Sequence, residues 1–276
     1  MPTERAVALL LDEDRLALVA AGRAWAAIAR GARLVADTLE RGNDVVFAGA
    51  GTSGRLGVLE AAECPPTFGT PPDRIRAVMA GGRESVFASR EGAEDRAVEG
   101  RREGRRLRPG DLLVGISASS VTPFVHAALD AARARRARTI LLTCAPRRGQ
   151  SALADVVIAI RTGPEVLTGS TRLKAGSATK AVLNALTTAA MVRLGKVHEN
   201  LMVDLLPTSA KLVDRSRRVV ATAGGVGGDR AGRLLAAARG EVKTAIVMAR
   251  RDLSVAEARA LLARADGHVR KALTLD

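Results

Sequence analysis

Two carboxylates and three clusters of hydroxyls are the residues here that could do chemistry. Glu63 sits just ahead of Pro65-Pro66, and Glu94 lies within Glu91-Gly92-Ala93-Glu94-Asp95. Since proline cannot continue a helix, the pair is expected to end the one carrying Glu63. A carboxylate at a helix C-terminus faces the negative end of the dipole, and burial would add to that. Both effects favour the protonated form and suit a general acid. The plainer alternative is a solvated helix-end glutamate. Glu165, between Pro164 and Val166, is a third carboxylate candidate for the same site.

The hydroxyls come in turns. Gly49-Ala50-Gly51-Thr52-Ser53-Gly54 has the outward form of a dinucleotide fingerprint. That fingerprint wants an acid at the end of the next strand to hold a ribose, but here the strand ends Met79-Ala80-Gly81-Gly82. Gly51, Thr52 and Ser53 instead fit a compact phosphate monoester, which hydroxyls and free N–H groups at a helix start can hold. A simple capped turn is the alternative. Ser117-Ala118-Ser119-Ser120-Val121-Thr122 repeats the theme, and Thr168-Gly169-Ser170-Thr171 does so again ahead of Lys174. Ser117, Ser119, Ser120, Thr122, Ser170 and Lys174 could thus surround one anion.

The elements that must position these groups follow from periodicity. Spacings near three and four over Leu9–Leu39 predict a helix. Short branched bursts at Asp44–Gly49, Ile75–Ala80, Asp111–Ser117, Thr139–Cys144 and Asp155–Ile160 predict buried strands. Helical stretches between most of them, such as Pro123–Arg136, imply a parallel α/β sheet covered on both faces. A five-stranded flavodoxin-like sandwich closes it, with ligands beyond the carboxyl ends of the strands. Arg172–Leu194 and Thr208–Thr222 read as helices, Gly224–Gly228 as a break, and Asp229–Asp276 as three or four short helices. The expected division is an N-terminal helical segment over 1–42, a ligand-binding domain over 43–222, and a small helical module over 223–276.

The 276 residues, 47% apolar, can bury a large core. Lys plus Arg total 43 against 29 acids, a net +14. Only six are Lys, all from Lys174 onward, and aromatics are 2%, so base-stacking platforms are almost missing. Specific nucleic-acid binding is not expected. Cys64 and Cys144 have no metal-type spacing, so no metal or other cofactor is expected, and a reducing cytoplasmic setting is. No apolar run is long enough for a membrane span, and Ala6–Leu11 followed by Asp12-Glu13-Asp14 is no signal peptide. His126, His198 and His268 form no catalytic pattern, and Cys64 reads as a packed small residue.

Gly49–Thr67 (GAGTSGRLGVLEAAECPPT) resembles the signature of the N-acetylmuramic acid 6-phosphate etherases, sugar isomerase (SIS) domain proteins related to the glucokinase regulatory protein. The likeness continues through Glu91–Asp95, Gly163–Gly176, Gly195–Asp204, Lys211–Arg215, Val242–Met248 and Arg270–Leu273. It implies a five-stranded SIS-type three-layer sandwich, a homodimer with sites near the subunit interface, and a small sugar phosphate as ligand. It also implies loss of D-lactate by elimination followed by water addition, with Glu63 and Glu94 as the acid/base pair. In place of the family's usual Gly-Arg after Ser119, this chain has Ser120-Val121. The change is expected to stiffen the turn and to remove a cationic contact to the anion or the lactate carboxylate. The alternative function is a sugar-phosphate-binding regulator on the same fold.

Overall fold

The structure, a computed structural model, describes residues 1–205 and 209–275. Two helices open the chain, α1 (Thr3–Arg23) and α2 (Trp25–Glu40). The single helix expected over Leu9–Leu39 is therefore two, broken at Ala24, whose N–H turns back to the Ala21 and Gly22 carbonyls. Gly22, a poor helix former, stands just before the break. Next come β1 (Val45–Gly49), α3 (Gly51–Phe68), β2 (Ile75–Met79), α4 (Ala97–Arg105), β3 (Leu112–Ile116), α5 (Pro123–Ala134), β4 (Arg138–Thr143), β5 (Val156–Ala159) and α6 (Lys174–Arg193). All five expected strands are present. Pro123 occupies the first turn of α5, where its missing N–H costs nothing.

Pro65 and Pro66 do not end α3, contrary to expectation; the helix runs on to Phe68. The prolines remove two donors, but their carbonyls still accept, and Gly69 N–H reaches Pro65 O at 2.9 Å. The interruption thus falls in the last turn, where the ladder is already running out.

The strands are parallel and ordered β2-β1-β3-β4-β5. This is the doubly wound order in which the chain reverses direction between β1 and β3, opening a crevice at their carboxyl ends. Every residue of β1 and β3 is buried, as a sheet covered on both faces requires. On one face Val46, Ala48, Leu113 and Leu141 pack with Phe124, Val125 and Leu129 of α5. On the other face, Gly57 of α3 lies against Phe47 and Ile116, and Gly31 of α2 lies against Ile140, Ile158 and Leu186 of α6. α4 meets α5 at Gly100, where a Cβ would stand 2.0 Å from the Phe124 carbonyl oxygen.

The amino end of the sheet is laced with charge. Asp111, 1% exposed, accepts from the backbone N–H of Asp44 at 3.0 Å and of Arg108 at 2.8 Å. Asp44 in turn pairs with Arg74 and Arg108, each at 2.9 Å. Asp155 accepts from the N–H of Thr139 at 2.8 Å.

The chain divides into two compact units, residues 1–62 with 72–189, and 63–71 with 190–276. The second therefore begins well ahead of residue 223. It holds a hairpin of β6 (Val197–His198) and β7 (Leu201–Met202), then α7 (Ala210–Gly224), α8 (Gly228–Ala237), α9 (Val242–Arg251), α10 (Val255–Arg264) and α11 (Val269–Thr274). Thr208, the expected start of α7, lies outside the described residues, as does Asp276. The core of this unit is Val220, Leu235, Val242, Ile246, Val247, Leu262 and Val269. Asp204 accepts from Lys196 at 2.7 Å and Lys243 at 2.8 Å, and burial lowers the Lys243 pKa against the pull of that carboxylate. Ser254 and Glu257 form a reciprocal cap on α10.

Candidate functional site

The switch point carries the first two hydroxyl turns. Gly49 ends β1 in register with Ile116 of β3, so Gly51–Ser53 and Ser117–Thr122 leave the sheet side by side. Gly54 lets α3 start tight against the strand; a Cβ there would meet Gly49 O at 2.7 Å. Thr52 and Ser53 are half-buried in the first turn of α3, beside the free N–H groups of a helix start. β2 ends at Met79, followed by Ala80 and Gly81, so the acid that a dinucleotide fingerprint carries at the end of its second strand is missing from that position.

In the second turn, Ser117 and Thr122 share a hydrogen bond of 2.8 Å. Thr122 stands at the N-cap of α5, but its hydroxyl goes to Ser117 rather than capping the helix. Ser119 is half-buried, and its Oγ accepts from Val121 N–H at 3.4 Å. Ser120 is buried with φ 65°, in the left-handed region, and its hydroxyl bonds Thr143 Oγ1. That bond ties the Ser120 hydroxyl to the end of β4. The turn keeps a conformation that suits glycine, and serine adopts it.

The start of α6, which follows the third turn, meets the end of β4. Thr143 Oγ1 also takes the Ala145 N–H at 3.3 Å, and Cys144 Sγ lies 3.6 Å from Ala175 O of α6 and 3.5 Å from Thr179 Oγ1. Burial pushes the Cys144 thiol up to about 11. The Thr52 methyl lies 3.8 Å from where a side chain on Gly176 would begin, so the starts of α3 and α6 are neighbours.

Two expected ligand contacts at α6 have partners within the protein. The Glu165 carboxylate accepts from the N–H groups of Lys174 and Ala175, both at 3.0 Å. It fills the anion seat at this helix start, where the dipole favours it. Lys174 is 5% exposed, and its Nζ pairs with Glu13 of α1 and donates to Pro164 O at 3.3 Å. Ser177 adds a bond to Asp14 at 3.0 Å. Ser170 remains half-buried on the turn itself.

Glu94 lies on a short 3₁₀ turn, Ala93–Asp95, and lines a cleft of about 290 Å³ with Gly51, Arg55, Ser85, Arg90 and Glu91. The cleft opens beside the start of α3. Glu63 is exposed on α3. Cys64 is buried, as a packed small residue would be. His198 is half-buried in the hairpin, and burial lowers its pKa. Among the described residues, no three His, Cys, Asp or Glu side chains are grouped to hold a metal, and no helix is long and apolar enough to cross a membrane. The resemblance could have flagged Arg55, which follows the hydroxyl turn within the quoted signature; Glu13 carried no such signal.

The model of the glucokinase regulatory protein N-terminal SIS domain matches residues 27–133, and the SIS domain model matches 99–189. A phosphoheptose isomerase from Francisella tularensis shares the fold, with a TM-score of 0.55 at 16% identity over 70% of this chain and 100% of that one. The N-acetylmuramic acid 6-phosphate etherase of Salinibacter ruber is 46% identical, covering 99% of this chain and 89% of the relative. Those of Symbiobacterium thermophilum and Mycolicibacterium smegmatis are 48% and 46% identical, over 87% and 97% of this chain and 81% and 90% of theirs. Matches of this length and identity leave one conclusion about descent: the chain belongs to the N-acetylmuramic acid 6-phosphate etherase family.

Proposed function

We propose that the chain is a carbon–oxygen lyase acting on N-acetylmuramic acid 6-phosphate and yielding GlcNAc 6-phosphate and D-lactate. The observation that carries this reading is the near-full-length identity to named etherases. Retention of both Glu63 and Glu94 supports it.

The phosphate binds at Thr52, Ser53 and the first N–H groups of α3, with Ser117, Ser119, Thr122 and Ser170 completing the seat. In the ring-opened sugar, the C1 aldehyde acidifies the C2 proton. Glu94 takes that proton, and Glu63 protonates the ether oxygen as lactate leaves C3. A double bond forms between C2 and C3. Glu63, now a carboxylate, activates water, whose oxygen adds at C3 while the proton returns to C2. One water is consumed, and no electrons enter or leave. Each acid/base group is worth about 10² to 10⁴ in rate.

The active form is a cytoplasmic homodimer. Apolar side chains exposed on the first two helices, among them Val7, Leu11, Leu18 and Trp25 at 71%, supply a face for a second copy. The second reading, a sugar-phosphate-binding regulator, is favoured by Val121 where the family usually has Arg.

The test is release of D-lactate from N-acetylmuramic acid 6-phosphate. Run in ²H₂O and H₂¹⁸O, the reaction should place deuterium at C2 and ¹⁸O at C3. Glu63→Gln should stop lactate release and keep GlcNAc 6-phosphate binding. Absence of lactate at high protein concentration, with GlcNAc 6-phosphate still bound, would establish the regulator instead.

A further inference from the structure

Glu94 sits on a segment with little of its own to hold it. Between Gly81 and Asp95 there are two short 3₁₀ turns, Arg83–Val86 and Ala93–Asp95, and Phe87 is 84% exposed. Ser85 and Ala93 are its buried residues. Its first residue is held from two sides: Gly81 N–H donates to Glu99 at 3.4 Å, and Gly81 O accepts from Arg90 at 3.3 Å. The middle of the segment is held from α3. Arg55, half-buried, donates from Nε to Val86 O at 2.8 Å and from Nη2 to Ser85 O at 2.9 Å.

The chemistry of that contact is specific. A guanidinium offers parallel donors in a rigid plane, which suits two successive carbonyls. A lysine ammonium is a point charge on a flexible stem and holds them in no fixed plane. Arg55 also lies one helical turn beyond Gly51, on the wall of the cleft that Gly51 and Glu94 share. The hydroxyl turn and the Glu94 loop are therefore gauged from the same turn of one helix. A reacting proton must be met to within a fraction of an ångström, and an error of 1 Å can cost about 10²-fold in rate.

We propose that Arg55 is the positioning residue for Glu94: through the Ser85 and Val86 carbonyls it fixes the loop that presents this carboxylate beside the phosphate turn. This rests on the reading of Glu94 as an acid/base group. Arg55 takes no proton and acts on the sugar through the loop alone.

The experiment is a double-mutant cycle on the full chain, with kcat, KM and GlcNAc 6-phosphate affinity measured for Arg55→Met, Arg55→Lys, Glu94→Gln and the two double variants. Arg55→Lys keeps the charge and stem and serves if Arg55→Met folds poorly. Thermal unfolding shows whether each variant is folded at the assay temperature. Expected are a fall in kcat of about 30- to 100-fold in either Arg55 variant and GlcNAc 6-phosphate affinity within threefold of the parent. In the Glu94→Gln background the Arg55 change should add less than a further twofold, because the group it positions is gone. A merely structural role would not give that non-additivity. Loss of activity in Glu94→Gln with Arg55→Lys at parental kcat overturns the proposal and leaves Glu94 standing. Equal losses with and without Glu94, or a loss matched by weakened GlcNAc 6-phosphate binding, also overturn it. Full activity of Glu94→Gln removes the reading of Glu94 itself, and with it the proposal.

Discussion

Ser120 tests how backbone strain and a buried hydroxyl trade against each other. Its φ of 65° lies where an L side chain costs about 1–2 kcal/mol and glycine pays almost nothing. Its hydroxyl bonds Thr143, which keeps Ala145 N–H as a second partner, so losing the bond costs about 0.5–1.5 kcal/mol. Ser120→Ala forfeits the bond and keeps the strain, for a loss of about 1 kcal/mol. Ser120→Gly forfeits the same bond but releases the strain, so its stability should stay close to the parent. The two variants differ by one methyl group and should differ by about 1–2 kcal/mol in favour of glycine. Urea unfolding of all three proteins reads this directly. Equal stability of the alanine and glycine variants, or a more stable alanine, would refute the strain argument. The comparison uses the difference between variants, so the size of the hydroxyl contribution does not enter.

Other outcomes follow from single contacts. Gly100→Ala places a methyl 2.0 Å from the Phe124 carbonyl oxygen and should lower stability by about 1–3 kcal/mol in a urea titration, with α4 and α5 forced apart. Thr187→Val removes the hydroxyl that donates to the buried Glu60 and should cost about 1.5–3 kcal/mol, read by thermal unfolding. Val121, on the exposed part of the second hydroxyl turn, gives an activity test: Val121→Arg should lower KM for a substrate carrying both a phosphate and a carboxylate several-fold and leave thermal stability unchanged. With its pKa at about 11, the Cys144 thiol is ionised to only about one part in a thousand at pH 8. A colorimetric disulfide reagent should therefore leave Cys144 unreacted in the native protein at that pH, with modification appearing as the pH rises toward 11 or on unfolding.

The sheet was plain in the sequence because its strands are short, branched apolar runs separated by helices, a pattern that local residues alone produce. The break between α1 and α2 was not, since Ala24 differs little from its helical neighbours and the turn depends on hydrogen bonds to Ala21 and Gly22. The hydroxyl turns at the switch point were legible because Thr52 and Ser119 announce themselves beside a strand end. What their neighbours do was not. Glu165 has the same chemistry as a catalytic carboxylate and becomes a cap only because the start of α6 arrives beside it. Lys174 looks like an anion's partner until Glu13, 161 residues away, is folded against it. Long-range pairing of this kind leaves no periodic trace.

The charged lacing at the amino end of the sheet bears on how the strands find their alignment. β1 and β3 are apolar at every position and buried on both faces, so moving one strand past the other by a single residue exchanges one apolar side chain for another. Hydrophobicity is nearly blind to that error. Asp44 is not: a slip of one residue carries its carboxylate about 3.3 Å along the strand and turns it to the opposite face. Arg74, Arg108 and the N–H bond to Asp111 would then all be lost together. The lacing thus works as a vernier, reading out the offset of three strands in the currency of charge where the core itself carries no mark.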